Sequence, residues 1–334
     1  MPYPAKLTNL SALLVGTEAT YGTAATLAAT SHGTEMALSD RQSAVFTANH
    51  LYNGELGPAP GNLGMLKRVG AVGRTASGTI PMRFRGAGTT YTATVLPNLH
   101  TMLKIGGFDS TLSSGSYTYT PTADSLTYSS ATMELYQRGE KWTLTGGLCS
   151  VGFDIGAAGV PLWQFETQGI LSTAIADSAV AVPTYLNTTV GPPVAAGVTF
   201  TIGSYSARLK SASFRMGRVL TERPDLTATD AHQGFVPAGY DPEFRCTVEV
   251  PALTYPNSSS GIDPYKMKIN AEEVAIALTV GGTAYNRFTM TLAQAQLKDF
   301  ALSNDGAVPT VDLTFQCHNS TLTTQTDAVK FVMN

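Results

Sequence analysis

Five histidines (His32, His50, His100, His232, His318) and three cysteines (Cys149, Cys246, Cys317) are the residues best suited to metal or nucleophilic chemistry. Their spacing supports neither. His318 directly follows Cys317, and neighbours on a strand point to opposite faces, so the two do not share a metal. The chain has no H-E-x-x-H, C-x-x-C or G-x-S-x-G motif, and without a Gly-Lys dipeptide it has no phosphate loop. Residues 57–73 are glycine-rich and contain Lys67 and Arg68. They lack the strand–loop–helix setting that aims backbone N–H groups at an anion, and read as a flexible or partner-ordered loop. Glu272 and Glu273 adjoin in a helix candidate and read as a solvated face. No catalytic, cofactor-binding or metal-binding residue is assigned, and no enzyme activity is expected. An odd number of distant cysteines fits buried thiols in a reducing cytosol better than disulfides.

The elements that would hold any site are β-strands. Short alternating segments recur between Gly, Pro, Asn, Asp and Ser, at 79–85, 132–137, 142–145, 162–167, 207–216, 244–250, 275–280, 287–292 and 311–317. Two helices are expected. One runs from Pro97, suited to a first turn, to Ile105 before Gly106-Gly107. The other follows Asp263-Pro264 to about Glu273.

Composition narrows the function classes. Only 13% of the 334 residues are charged, against about 25% in an ordinary soluble domain, while 45 are Thr and 24 Ser. So little charge suggests a surface partly covered by other chains. The formal charge is −3, and the 21 Lys and Arg are scattered. Tight binding to nucleic-acid phosphates needs a basic stripe, and none is present. No apolar run reaches the ~20 residues of a membrane helix, and the first fifteen residues make a poor secretory signal.

The chain also resembles itself. Trp163 and Phe165 alternate after a Gly-Ala turn and Val160-Pro161; Val311, Leu313 and Phe315 alternate after Val308-Pro309, 148 residues later. Trp142-Thr143-Leu144-Thr145 matches Phe288-Thr289-Met290-Thr291 at an offset of 146, and Pro81–Arg85 matches Pro242–Arg245 at about 160. Each copy sets a helix candidate between its early and late strands. The order implies a tandem duplication. The expected organisation is an N-terminal arm (residues 1–35), a first unit (36–171), an extended connector (172–198), a second unit (199–318) and a C-terminal tail (319–334). Long loops are expected at 51–76 and 220–241, and such loops usually bind partners.

Residues 18–26, Glu-Ala-Thr-Tyr-Gly-Thr-Ala-Ala-Thr, resemble the opening of the tail tube (major tail) proteins of long, non-contractile-tailed bacteriophages, which begin with E-x-T-Y-G-T. The match covers nine residues, and the Pro often found after Gly-Thr is missing. The resemblance implies mainly β, tandem tail-tube sandwich or barrel units, each with one short flanking helix. Their sheets would continue between subunits into rings that stack as a tube. Two units per chain make a trimer with pseudo-six-fold symmetry the expected ring. The implied function is a structural virion protein, made in the host bacterial cytoplasm, whose tube conducts DNA into the host cell. Implied partners are further copies of itself and the tape measure, tail terminator and distal tail proteins. Double-stranded DNA would pass through without specific binding, and no membrane insertion or cofactor is implied. Gln164, Glu166, Asp312, Thr314 and Gln316 alternate with apolar neighbours and are the expected lumen-facing residues. Glu18, Tyr21, Gly22 and Thr23 are expected in an arm between rings. The competing reading is a virion β-sandwich that decorates the particle or binds a receptor or glycan. A glycan-cleaving enzyme would need two carboxylates about 5–10 Å apart in a cleft.

Overall fold

The computed structural model describes residues 11–37, 46–51, 55–56, 66–67, 72–122, 128–137, 139–156, 159–171, 175–178, 182–225, 227, 232–320 and 326–334. The fold is mainly β, with two short helices. The first half holds β1 (Ser11–Thr17), β2 (Phe46–Leu51), β3 (Val72–Arg83), α1 (His100–Ile105), β4 (Phe108–Ser113), β5 (Ser116–Pro121), β6 (Ala131–Gln137), β7 (Glu140–Gly156) and β8 (Leu162–Leu171). The second holds β9 (Thr199–Ile202), β10 (Leu209–Arg215), β11 (Val219–Pro224), β12 (His232–Gly239), β13 (Glu243–Glu249), α2 (Pro264–Ile269), β14 (Glu273–Val280), β15 (Phe288–Asp305), β16 (Val308–His318) and β17 (Lys330–Met333).

The antiparallel ladders of the two halves follow one order. In the first, β1 pairs with β6, β6 with β7, β7 with β8, β8 with β3 and β3 with β2. In the second, β9 pairs with β14, β14 with β15, β15 with β16, β16 with β13 and β13 with β10. The halves join where Gly152–Gly156 of β7 pair with Ser211–Arg215 of β10. This builds one eight-stranded sheet in the order β2-β3-β8-β7-β10-β13-β16-β15. β7 and β15 are long because each crosses a corner. Their first parts pair with β6 and β14, their last parts with β8 and β16, and register shifts mark the bends. The ladders branch but do not return on themselves: among the described residues, β2 and the last part of β15 each pair on one side only.

The sheet has one apolar face because its strands alternate. In β8 the buried residues include Trp163, Phe165, Thr167 and Leu171, and in β16 they include Val311, Leu313, Phe315 and Cys317, with Thr310 at the strand start buried as well. Facing pairs set the correspondence of the halves. Val151 faces Phe165 and Leu297 faces Phe315, so Phe165 corresponds to Phe315, two residues beyond the sequence match with Leu313. The core is shared. Rings of Phe84, Phe153 and Trp163 from the first half lie within 6.3 Å of Phe288 or Phe331 from the second. The two expected units therefore do not have separate cores.

Both ends depart from the expected arms. β1 is a ladder strand whose Leu13 and Val15 are buried in the main core, and β17 buries Phe331 and Met333 while pairing with β15 and β5. The apolar runs 12–15 and 331–333 are too short to show periodicity, yet each gives two side chains to the core from a strand paired on both sides. The expected loop 220–241 is mostly the hairpin β11–β12. In the other long loop, β3 already begins at Val72 and Glu55–Leu56 pair with Leu66–Lys67; the rest lies outside the described residues. The hairpin β4–β5 was not legible as strands. Described parts of the connector are not simply extended, since residues 186–189 form a turn closed by Val190 N–H on Asn187 O, and they are tied down, with Thr184 N–H donating to Ala29 O and Asn187 Nδ2 to Leu96 O.

The helices are shorter than expected. α2 starts as expected, with Asp263 accepting from Lys266 N–H at 3.2 Å and Pro264 in the first turn, but stops at Ile269. Glu272 therefore lies in the following turn, half-buried and accepting from Asn257 Nδ2, and Glu273 opens β14 instead of extending a solvated helical face. α1 begins at His100, after a turn in which His100 N–H bonds Pro97 O.

His100 Nδ1 lies 2.8 Å from the Tyr119 hydroxyl, and its ring packs on Tyr117 and Tyr119. Burial, reinforced by the Lys104 charge one turn away, pushes the imidazole down to about 4. The unfolded chain takes up this proton near pH 6.5, so stability falls as pH drops from about 6.5 to about 4. His100→Gln, which keeps a hydrogen-bonding amide without titrating, is expected to flatten that part of a melting-temperature-against-pH curve. An unchanged slope would refute the assignment.

Candidate functional site

Two features of the large sheet stand out: a continuous polar face and two edges left open among the described residues. Lateral neighbours run Pro81, Gln164, Gly152, Arg215, Glu243, Gln316 and Gln296 across seven strands. Gln164 and Gln316 thus share one row. Thr314 lies in the next row with Arg245 and Asp154, and Asp312 in the row beyond with Thr247 and Ser211. Glu166 lies one row the other way, opposite Ser150 and Thr79. All five expected polar residues are therefore brought onto one face, opposite the core. The face is hollowed across the junction of the halves by a depression of about 480 Å³ lined in part by Asp154, Ser213, Arg245, Thr247, Asp312 and Thr314.

The charges on this face are largely paired. Arg215 Nη2 lies 3.0 Å from Asp154 Oδ2, which also accepts from Gln164 Nε2 at 2.8 Å. Arg245 and Lys298 both reach Glu243, at 2.5 and 3.2 Å. Burial alone would raise the Glu243 carboxyl, but bonds and charge from Arg245 and Lys298 bring it below its usual value. Asp312 accepts from Thr247 Oγ1 at 2.6 Å, and Gln316 Nε2 donates to Asp241 and to Pro242 O. Exposed pairs of this kind add little stability. Their effect is to leave Arg215, Arg245 and Lys298 with carboxylate partners.

The residues expected in a loose arm are held against their own chain. Glu18 accepts four hydrogen bonds, from Gly22 N, Ser130 Oγ, Thr132 Oγ1 and Gly146 N, at 2.7–2.9 Å. Thr23 N–H closes a turn on Thr20 O. The Tyr21 hydroxyl accepts from Phe235 N–H of β12 at 2.6 Å, and burial pushes the phenol up to about 12. Gly146 has φ +59° and a Cβ there would sit 2.9 Å from the Tyr21 ring, so glycine is required on two counts. The motif thus stitches the first half to the β11–β12 hairpin. Residues 1–10 lie outside the described residues.

A residue that spacing gave no hint of sits at the junction. Arg218 is buried, with Nη1 donating to Ile105 O at 2.6 Å and Cys149 O at 3.2 Å, and its guanidinium lies over the Tyr240 ring. It thereby caps the end of α1 from the other half. A lone Arg in a loop carries no sequence signal for this.

The three cysteines are free and buried, and burial pushes Cys149 and Cys317 up to about 12, keeping them as thiols. Among the described residues, no group of three or more His, Cys, Asp or Glu is placed to hold a metal, and no helix is long and apolar enough to cross a membrane. Lys67 pairs through its backbone with Glu55, and Arg68 lies outside the described residues. No protein-family model and no curated protein matches this sequence.

Proposed function

We propose that this chain is a structural subunit that assembles into rings and stacked rings around a bore, in the manner of the tail tube proteins that residues 18–26 resemble. The observation that carries this reading is the ladder between β7 and β10. It joins two halves of like ladder order edge to edge, and leaves the corresponding edges, β15 and β2, unpaired among the described residues at the two ends of the sheet. An open edge is a row of unmet N–H and C=O groups, and pairing it with another copy satisfies them. Joining copies in the same sense continues the sheet and curves it toward closure. The repeated ladder order supports a tandem duplication, and a ring of three chains then has six like units.

The arithmetic of strand number favours three copies. Strands about 4.8 Å apart and tilted about 40° give a 24-stranded ring a diameter of roughly 48 Å between backbones. Inward side chains leave a bore of roughly 35–40 Å, enough for a duplex roughly 20 Å wide with its hydration. Two copies supply 16 strands and a backbone diameter of roughly 32 Å, and the same side-chain allowance leaves a bore of roughly 19–24 Å, with no room for the duplex's hydration. The hollowed face with Gln164, Glu166, Asp312, Thr314 and Gln316 lines the bore in this reading. Its paired cations offer phosphate no free basic stripe, so DNA slides instead of sticking. Location in a virion tail, and tape measure, terminator and distal tail proteins as partners, come with the resemblance.

Electron microscopy of the purified chain, with light-scattering mass of soluble species, tests the proposal. Three-chain rings of near six-fold appearance, or hollow tubes built of them, are expected. Six-chain rings would keep the tube and discard the duplication. A monomer that never polymerises, even when concentrated, would overturn the reading.

A further inference from the structure

The junction inside the chain is a template for a surface that the chain leaves open. At that junction Phe153 and Ile155 of β7 and Ile105 at the end of α1 are buried, all at 5% exposure or less. β10 pairs alongside, Phe214 stacks on Phe153 at 5.8 Å, and Arg218 closes over the helix end. The register of β7 and β15 equates Phe153 with Phe300 and Ile155 with Leu302. The six-residue helices likewise equate Ile105 with Ile269.

In the second half these positions are still apolar but less covered. Ile269 is 81% exposed and Leu302 60% exposed. Phe300 is half-buried, with Tyr265 against its ring at 4.7 Å and Lys268, bonded to Asp299, above it. A lone exposed apolar residue needs no explanation, but two exposed beside a half-buried Phe300, all at positions buried in the other half, mark an interface. The missing element is the equivalent of β10, and the ladder order of the halves makes that β2. In its own chain β2 pairs only with β3 among the described residues.

We infer that Ile269, Phe300 and Leu302 form the docking surface for a second copy of this chain, which lays its β2 edge along Asp299–Asp305 as β10 lies along Gly152–Gly156. This rests on the ring reading and adds its contact residues. The occupant is the same chain because only the β2 edge reproduces the ladder seen inside it. The apolar saddle supplies affinity, and the ladder supplies register.

Leu302→Glu and Ile269→Glu, each with hydrogen exchange of the wild-type assembly, test this. Both positions are exposed in the free chain, so the variants are expected to fold with unchanged melting temperature. A charge in the buried centre of the seam is expected to raise the concentration needed for rings by about 30-fold or more. The amides of 299–305 are expected to exchange fast in the monomer and slowly in the ring. If wild type assembles while both variants assemble equally well and 299–305 stays fast, the docking surface is wrong and the ring reading survives. If wild type never assembles, both fail. Should a variant unfold, the exchange of 299–305 in wild type decides alone.

Discussion

Trp163→Ala is expected to cost about 3–5 kcal/mol and to lower one transition, not one of two. Trp163 is fully buried, and its ring lies 5.1–6.5 Å from Phe153, Phe165, Phe288 and Phe331. Two of those partners belong to the second half. Truncation therefore empties a core that both halves share, and neither can keep its packing while the other unfolds. Calorimetry and denaturant unfolding, followed by fluorescence of the remaining Trp142 and by circular dichroism, would show a single shifted transition. Two transitions with only one displaced would mean that the halves are independent domains. Trp163→Phe provides the contrast. The indole Nε1 is buried with no hydrogen-bond partner among the described residues, so its removal offsets part of the lost volume, and a cost under about 1.5 kcal/mol is expected.

Glu18→Ala is expected to cost about 2–4 kcal/mol. Four donors converge on this carboxylate, two of them backbone N–H groups, and the Thr132 hydroxyl among them also accepts from Ala25 N–H at 2.8 Å. Hydrogen bonds to a charged acceptor contribute about 1.5–3 kcal/mol each, with solvent recovering part of the loss at a half-buried site. The effect should spread. Glu18 holds the turn that aims Tyr21 at Phe235 N–H, so amide exchange at Phe235 is expected to speed up along with that of Gly22 and Gly146. Glu18→Gln keeps an acceptor oxygen and should fall between. A neutral Glu18→Ala, or exchange at Phe235 that does not respond, would show that the motif does not anchor the hairpin.

The motif illustrates how far a sequence carries. Glu18, Tyr21 and Gly22 were singled out as a unit by the resemblance of residues 18–26 to the opening of tail tube proteins. Their partners were not, since Ser130, Gly146 and Phe235 lie more than a hundred residues away and carry no mark of the pairing. For the same reason the segment was expected to be a loose arm although its own chain holds it. The polar face shows the opposite case. Gln164 with Glu166, and Asp312 with Thr314 and Gln316, were placed on the side away from the core by period-two alternation alone, which the pleat enforces whatever the sheet.

What was present in the chain from the outset was local: the β texture, alternation in β8 and β16, the Asp263-Pro264 helix start, and buried thiols at positions with no ligand spacing. Tertiary structure settled which edges meet. That Gly152–Gly156 pair with Ser211–Arg215, that β1 and β17 enter the core, and that Arg218 closes α1 all depend on backbone groups. Every residue presents the same N–H and C=O to a neighbouring strand, so side-chain order specifies faces but leaves the choice of distant partner to packing of the whole. Phe153 with Ile155, and Phe300 with Leu302, read alike in the sequence; the fold buries the first pair and leaves Leu302 open at the end of the sheet.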